Sequence, residues 1–250
     1  MENESMLNKI YNEDCLEGMK RIADKSVDMI LCDLPYGTTA CKWDTIIPFE
    51  PLWEQYERVI KDNGAIVLTA SQPFTSALVM SNPGIFKYSL VWNKVNSSSG
   101  LHAKNQPLRS HEDIHVFGKN KIMYNPQMVV ATERVDKERL IPNGDAFSGK
   151  SKKRVYDNKG LKYPKSILTF SNANQRGKLH PTQKPVALFE YLIRTYTNEN
   201  ETVLDNCMGS GTTAIAAINT NRNYIGFEMD TNYFNLANER IEQHLNPIQR

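Results

Sequence analysis

The chain has few cysteines and no long apolar run, and both shortages exclude classes of protein. It contains four cysteines among 250 residues, and none of them forms a Cys-x-x-Cys pair. A disulfide framework or a thiolate zinc site is therefore not expected, and a reduced compartment fits best. No stretch approaches the ~18 apolar residues of a membrane-spanning helix. The first five residues are polar and acidic, unlike a signal peptide, so we expect a cytoplasmic protein that makes no membrane contact.

The composition is that of a folded protein, but the charge is unevenly distributed. Hydrophobic residues make up 40% and charged residues 23%, which excludes general disorder and fits one domain or one domain with a large insertion. The net charge is +2, yet residues 94–165 hold 15 Lys and Arg against 7 Asp and Glu. This segment has a balance of +8 and the remainder −6. The basic middle predicts a polyanionic partner, and a solvated lysine-rich surface is the alternative.

The first part of the chain, about residues 7–117, alternates strand and helix patterns. Four apolar runs have the length of buried strands, namely residues 28–32, 65–69, 88–92 and 114–117. A helix is expected between the first two runs and should end at the Asn-Gly pair of residues 63–64. Its apolar stripe consists of Leu52, Tyr56, Val59 and Ile60.

The second part, from about residue 180, predicts a complete β-α-β unit. Pro185 is expected to open a helix whose apolar stripe consists of Leu188, Phe189, Leu192 and Ile193. Strands at residues 202–205 and 223–228 then flank a helix that begins at Thr212. Because strands alternate with helices, we expect an α/β fold with a mostly parallel, doubly wound sheet covered on both faces.

Between these parts lies a less regular middle, roughly residues 96–178. Its periodicity is weak, and it is too long for a plain loop, so it is either a small insert or a set of mobile recognition loops. We therefore divide one domain into a catalytic half (1–95), a recognition region with connecting loops (96–178) and a cofactor half (179–250). The start of the recognition region overlaps a core strand near residues 114–117.

A glycine turn in the cofactor half has the form of a nucleotide-binding loop. Gly209, Ser210 and Gly211 follow a strand that ends at Asp205, and they precede a helix whose N-terminal N–H groups are free for a ligand. Glu228 ends the next strand, where a carboxylate can accept hydrogen bonds from ribose hydroxyls. A dinucleotide site is a weaker interpretation, because the third glycine of that pattern is missing. A tight turn that binds nothing is the plainer alternative.

A tetrapeptide in the catalytic half follows a buried strand directly. Asp33, Leu34, Pro35 and Tyr36 should face the crevice, because ligands of doubly wound sheets bind at the carboxyl ends of the strands. Pro35 holds Leu34 extended, which lets the Leu34 carbonyl accept a hydrogen bond beside the Asp33 carboxylate. Two acceptors next to an aromatic ring suit the exocyclic amino group of a flat heterocycle. An ordinary turn is the alternative.

Together these motifs resemble the DNA amino-methyltransferases of the β arrangement, such as the site-specific adenine methyltransferases of phages and bacteria. In that arrangement the catalytic tetrapeptide precedes the recognition region and the cofactor loop, a circularly permuted order on a Rossmann-like fold. Leu34 replaces the first proline of the family tetrapeptide, and Asn206 and Cys207 replace its Pro-Phe. The motifs that carry the resemblance lie at residues 12–16, 28–30, 33–37, 111–117, 180–185, 203–205, 209–213 and 224–228.

The resemblance implies a role for each matching residue. Asp33 and the Leu34 carbonyl would accept hydrogen bonds from the target amino group, and Tyr36 would stack on a base flipped out of the duplex. Asp14 matches a position near the cofactor adenine, although it can equally cap a helix. The S-adenosyl-L-methionine site would comprise Asp14, Cys15, Asp33, Thr182, Gln183, Lys184, Asp205, Gly209, Ser210, Gly211, Thr212, Thr213 and Glu228.

The implied activity is direct in-line methyl transfer from S-adenosyl-L-methionine to adenine N6 in double-stranded DNA. Asp at the first catalytic position favours adenine over cytosine N4, which is the first alternative. An RNA or protein-amide methyltransferase and an inactive DNA-binding relative are the others. The resemblance also allows a homodimer and a separate cognate restriction endonuclease as partners.

A basic cluster in the middle region is expected to contact DNA phosphates. Its members, Lys150, Lys152, Lys153 and Arg154, lie within five residues and have one acidic neighbour, Asp157. A solvated cluster is the alternative. No metal is expected, because the histidines at 102, 111, 115 and 180 lack ligand spacing with each other and with the cysteines.

Overall fold

The computed structural model describes residues 6–38, 44–98, 100, 103–130, 160–172 and 183–246, which belong to two compact units. The larger unit is drawn from Met1–Asn125 and Ser166–Arg250, and the smaller one is Pro126–Lys165. The basic cluster at residues 150–154 lies outside the described residues. No helix in the described ranges is long and apolar enough to cross a membrane.

The larger unit contains eight strands and six helices within the described ranges. The strands are β1 (Lys9–Tyr11), β2 (Val27–Asp33), β3 (Ile60–Ala70), β4 (Phe86–Ser98), β5 (Arg109–Phe117), then, after the smaller unit's β6 and β7, β8 (Ile167–Thr169), β9 (Thr202–Asp205) and β10 (Asn223–Phe227). The helices are α1 (Cys15–Met19), α2 (Phe49–Val59), α3 (Phe74–Ser81), α4 (Val186–Tyr196), α5 (Thr212–Asn219) and α6 (Thr231–Leu245).

The smaller unit contains a short antiparallel pair. Its strands are β6 (Val129–Val130) and β7 (Leu161–Lys162), with Val129 opposite Lys162. The unit lies within the region 96–178 that the sequence assigned to recognition. The flanking parts of that region, including β5 and β8, belong to the main sheet.

The strands of the larger unit form a single sheet in the order β1-β10-β9-β2-β3-β5-β4-β8. Among the described strands of this sheet, β5 alone runs antiparallel to both of its neighbours, β3 and β4. The two halves of the chain join where β2 pairs with β9, Met29 opposite Val203. The sheet is therefore mostly parallel, as the sequence predicts.

Both faces of the sheet are covered, which confirms the doubly wound prediction. Met29 and Leu31 of β2 belong to one apolar core, and the alternate residues Ile30 and Cys32 belong to the other. Helices α4, α5 and α6 pack on the first core, whereas α1, α2 and α3 pack on the second. Strands buried on both faces read as continuous apolar runs, and these runs made the strands recognisable in the sequence.

The predicted end of helix α2 was wrong. The helix ends at Val59, and Ile60 is already the first residue of β3, where it is fully buried and pairs with Val27. The register between β2 and β3 then shifts, and Gly64 lies inside the strand at this irregularity. A side chain at Gly64 would lie 2.8 Å from the Asp28 carbonyl oxygen, so the glycine permits a close approach of two backbones.

Candidate active site

One cavity of about 730 Å³ lies at the carboxyl ends of β2 and β9. From β9 the sheet continues to β10 and β1 in one direction, and from β2 to β3 in the other. This change of direction is the topological switch point at which α/β sheets bind ligands. Its lining brings together most of the predicted site residues that the structure describes, namely Asp14, Cys15, Asp33, Leu34, Pro35, Tyr36, Gln183, Lys184, Asp205, Gly209, Ser210, Thr212, Thr213 and Glu228.

Gly211 was predicted for this site but is not part of the cavity lining. Gly211 stands behind it as the N-cap of α5, with a positive φ of 81°. A side chain there would meet the Cβ of Ala237 at 3.2 Å, so the glycine permits both the turn and the packing of α6. Thr182 lies outside the described residues.

The loop from β9 to α5 is held by the carboxylate of Asp205. Its Oδ1 accepts a hydrogen bond from the Cys207 backbone N–H at 3.0 Å, and its Oδ2 accepts one from the Thr213 hydroxyl. Burial raises the pKa of Asp205 to about 6. Arg240 of α6 also donates to the Ser210 carbonyl, at 2.9 Å. These bonds fix a loop that lines the cavity with Gly209 and Ser210.

Glu228 lies across this loop, immediately after β10. Its Oε2 accepts a hydrogen bond from the Gly209 N–H at 2.7 Å, and its Oε1 accepts one from the Asp230 N–H at 2.9 Å. Burial raises the pKa of Glu228, whereas the backbone donors oppose that rise. Because each carboxylate oxygen can accept two hydrogen bonds, a lone pair on each remains for the hydroxyls of a ligand.

Asp14 has the capping role that the sequence analysis gave as one alternative. Its Oδ1 accepts a hydrogen bond from the Leu16 N–H at 2.8 Å and caps helix α1. The same residue lines the cavity, so the cap does not exclude a contact with a ligand.

The carboxylate of Asp33 is held from three directions. Tyr36 donates its hydroxyl hydrogen to Oδ1 at 2.8 Å, and the Thr69 hydroxyl donates to the same oxygen. Lys184 donates to Oδ2 at 2.6 Å. Thr69 lies directly opposite Asp33 in the register of β2 and β3. Sequence analysis missed Thr69, although its place at the end of the second apolar run, residues 65–69, is a signal that could have identified it.

Tyr36 is neutral and firmly packed. Burial, followed by the negative charges of Asp33 and Glu112, raises its pKa, so the hydroxyl keeps its proton and can donate it to Asp33. The ring stacks on Phe74 with 5.2 Å between centroids. The Lys184 ammonium lies 5.6 Å from the centroid of the Tyr36 ring. The aromatic ring that the sequence predicted therefore lies beside the carboxylate and has a fixed orientation.

Lys184 and Asp33 belong to a buried charge network, which we define as Asp33, Lys184, Glu112 and Lys94. The Lys184 nitrogen lies 3.3 Å from Glu112 Oε2, and Lys94 is paired with Glu112 Oε1. Burial lowers the pKa of Lys184, but the charges of Asp33 and Glu112 outweigh burial and raise it overall. Sequence analysis gave Lys94 and Glu112 no role. Glu112 reaches the site because β5 is antiparallel and therefore begins at the edge where β2 and β3 end.

Three thiols lie close to the floor of the cavity. The Asn206 amide donates to the sulfurs of Cys15 and Cys207, each at 3.5 Å, and accepts from the Tyr56 hydroxyl at 2.5 Å. Burial raises the pKa of Cys32 to about 12, and a hydrogen bond with Cys207, followed by burial, raises the pKa of Cys15. Protonated thiols are poor nucleophiles, so these environments favour packing over reactivity for the cysteines.

Comparison with known proteins agrees with this geometry. Type II methyltransferase M1.MboII of Moraxella bovis is 28% identical over 257 residues, which cover 95% of this chain and 97% of that protein. DNA adenine methyltransferase YhdJ of Escherichia coli (strain K12) is 28% identical over 93% of this chain and 82% of that protein. The crystal structure of the M1.HpyAVI–SAM complex is 26% identical and superposes with a TM-score of 0.65, covering 93% of this chain and 98% of that one. The model of the DNA methylase family matches residues 27–239, and the chain therefore belongs to the N6/N4 DNA methylase family.

Proposed function

We propose that the protein methylates the N6 amino group of adenine in double-stranded DNA by direct in-line transfer to a flipped-out base. One observation carries this proposal: a single cavity joins the Asp33–Tyr36 peptide to the glycine loop and Glu228. The first part offers acceptors and an aromatic ring for a base, and the second offers backbone and carboxylate groups for a nucleoside. A cavity that holds both ligands is what group transfer between them requires.

S-adenosylmethionine is the methyl donor, and it supplies an electrophilic methyl group carried on a sulfonium. Glu228 would accept hydrogen bonds from the ribose hydroxyls, and Asp14 would lie near the adenine. Gln183 and Lys184 would lie toward the methionine end, and the loop at residues 209–213 would pass along the nucleoside. Hydrogen bonds accepted by Asp205 and donated by Arg240 fix this loop from within the protein, and a loop fixed in this way favours tight binding.

Asp33 would orient the target amino group. Its carboxylate and the Leu34 carbonyl would accept the two N–H bonds, which turns the nitrogen lone pair toward the methyl group. Tyr36 would hold the base by stacking, which requires that the base leave the duplex because its amino group is otherwise paired. Acceptors that are fixed in advance stabilise the charge that develops on the nitrogen. The proton that the methylated nitrogen loses would pass to water.

Adenine is proposed over cytosine for two reasons. The first catalytic position is Asp33, and aspartate there is typical of the adenine enzymes that the chain resembles. The relative YhdJ is also named an adenine methyltransferase. Methylation of cytosine N4 is the second candidate. A homodimer and a separate restriction endonuclease stay predictions from the resemblance.

The test is transfer of tritiated methyl groups from S-adenosylmethionine to duplex DNA, followed by chromatography of the nucleosides. Label in N6-methyladenine is the expected result. Label in N4-methylcytosine would move the assignment to the second candidate, and label in neither nucleoside would contradict both. RNA and protein substrates in parallel reactions test the other two activities.

Replacement of Tyr36 separates stacking from hydrogen bonding. Tyr36→Phe should keep most of the activity, because Thr69 still donates to the same oxygen of Asp33. Tyr36→Ala should lose it, because base–aromatic stacking contributes about 1–3 kcal/mol per base and the packing on Phe74 is lost as well. The measurement is kcat/KM on duplex DNA, with Tyr88→Phe as a control outside the cavity lining. Equal damage from Phe and Ala at position 36 would assign the role to the hydroxyl.

The basic cluster should contribute to the affinity of the protein for DNA but not to its choice of DNA sequence. If Lys152, Lys153 and Arg154 contact phosphates, their replacement by alanine should flatten the slope of log affinity against log salt by up to about three units. Cognate and scrambled duplexes should weaken alike. An unchanged slope would indicate a solvated cluster, and a changed sequence preference would make these residues base readers.

A further inference from the structure

The buried charge network joins four elements that are far apart in the sequence. Asp33 ends β2, Lys94 lies in β4, Glu112 lies in β5, and Lys184 lies two residues before the start of α4. The side chain of Lys184 is 6% exposed, and those of Lys94, Glu112 and Asp33 are 10%, 13% and 22% exposed. Two cations balance two anions, so no net charge is buried. Buried ions are costly unless they are paired, so the position of each charge depends on the others.

The two oxygens of Asp33 differ in whether they can accept a further hydrogen bond. Oδ1 accepts from both Tyr36 and Thr69, which uses its two lone pairs. Oδ2 accepts from Lys184, which uses one of two. A target amino group would therefore meet its acceptor at Oδ2, the same oxygen that holds the lysine.

We propose that Lys184 is a positioning residue for Asp33, and that Glu112 and Lys94 hold Lys184 in place. Its ammonium holds Oδ2 by a hydrogen bond of 2.6 Å and directs this oxygen to the target. The inference rests on the proposed methyl transfer and assigns Lys184 a role in the acceptor as well as its expected place near the cofactor. A lysine that served the cofactor alone would not need a second carboxylate at 3.3 Å.

The physical consequence is a pH dependence. Without the ammonium, the Asp33 carboxylate faces the negative charge of Glu112 in a poorly hydrated site, and both conditions favour its protonated, inactive form. Asp205 of β9, the thiol of Cys32 and the phenol of Tyr36 also interact with Asp33. All three groups remain in every variant considered below, so differences between the pH profiles report the loss of the Lys184 ammonium or of the Glu112 charge.

The experiment measures kcat for methyl transfer to duplex DNA across a range of pH in Lys184→Met and Glu112→Gln. In Lys184→Met the acidic limb of the profile should move to higher pH by about 1–3 pH units, so that activity recovers in alkali. In Glu112→Gln a negative charge is lost, and the limb should move to lower pH. Cofactor is kept saturating, so that weaker binding of S-adenosylmethionine in Lys184→Met does not mask the shift of the limb. In Glu112→Gln, affinity for S-adenosylmethionine, measured by calorimetry, should stay within about threefold of the wild type.

Two further variants control for loss of structure. Lys184→Arg keeps the charge and should restore the limb toward its wild-type position. Lys61→Gln removes another ion pair, which Lys61 makes with Asp28 at 2.6 Å, about 16 Å along β2 from Asp33. It should leave the limb unmoved even if it lowers the melting temperature.

Three outcomes would overturn the inference. One is a folded Lys184→Met enzyme whose acidic limb does not move, and another is a Lys184→Met enzyme that loses cofactor affinity alone. If Lys184→Met does not fold, Glu112→Gln decides, and an unmoved or upward limb in that variant is the third. Wild-type protein that transfers no methyl group to DNA would instead overturn the proposed function, and this inference with it.

Discussion

Replacement of Asp33 by alanine should lower kcat for methyl transfer by about two to three orders of magnitude and lower cofactor affinity far less. In the proposed mechanism the carboxylate is the acceptor that orients the target amino group, so its loss removes a contact that matters most in the transition state. Removing one such preorganised group typically costs about 10²–10³-fold in kcat. Single-turnover transfer of tritiated methyl groups measures the loss, and calorimetry measures cofactor affinity.

Replacement of Asp33 by asparagine separates the effect of the charge from that of the side-chain shape. Asp33→Asn keeps the shape and one acceptor oxygen but loses the charge that pairs with Lys184. Its activity should lie between those of the alanine variant and the wild type. Lys184 keeps Glu112 as a partner at 3.3 Å in both variants, so the fold should survive, which a melting curve checks. An alanine variant that retains most of its turnover would remove Asp33 from the mechanism.

Replacement of Glu228 by alanine should weaken S-adenosylmethionine binding by about 10- to 100-fold. Hydrogen bonds to a charged group contribute roughly 1.5–3 kcal/mol each, and 1.4 kcal/mol corresponds to a factor of ten. The substitution also removes a second contact, because Glu228 accepts a hydrogen bond from the Gly209 N–H and so holds the glycine loop in place. Calorimetry with the cofactor gives the affinity.

DNA affinity should change little in the Glu228 variant, because the residue lies at the end of the cavity where we propose that the cofactor nucleoside binds. Glu239→Ala is a matched control, since it removes an exposed carboxylate from α6 without touching the cavity. The cofactor affinity of Glu228→Gln should fall between those of Glu228→Ala and the wild type, because the single amide oxygen can accept only one of the two backbone donors well. Cofactor affinity equal to that of the wild type in Glu228→Ala would place the ribose elsewhere.

Local sequence patterns carried much of the fold and part of the site. The apolar runs of β2, β3 and β5 identified buried strands, because a strand covered on both faces has no polar side. The Asp33–Tyr36 peptide and the glycine loop were recognisable because each follows such a strand directly. The carboxyl ends of neighbouring parallel strands lie at one edge, so the two peptides were expected to meet, and one cavity contains both.

Boundaries of helices and strands, and the contacts between distant side chains, were harder to predict from the sequence. The sequence placed Ile60 in a helix, because its spacing from Tyr56 fits a helical stripe as well as a strand. The choice depended on the pairing of Ile60 with Val27, a residue of another strand. Thr69 was missed for the same reason: its contact with Asp33 follows from the register of two strands and not from any local motif.

By itself the sequence determined the class of fold, the order of the two halves and the peptides that form the site, because these follow from local periodicity and backbone chemistry. Only the tertiary structure decided which charges meet. Lys184 lies 151 residues from Asp33, and Glu112 reaches both because β5 runs against its neighbours. Ion pairs between distant segments depend on strand order, direction and register together, and a lysine near a proline carries no sign of its carboxylate partners.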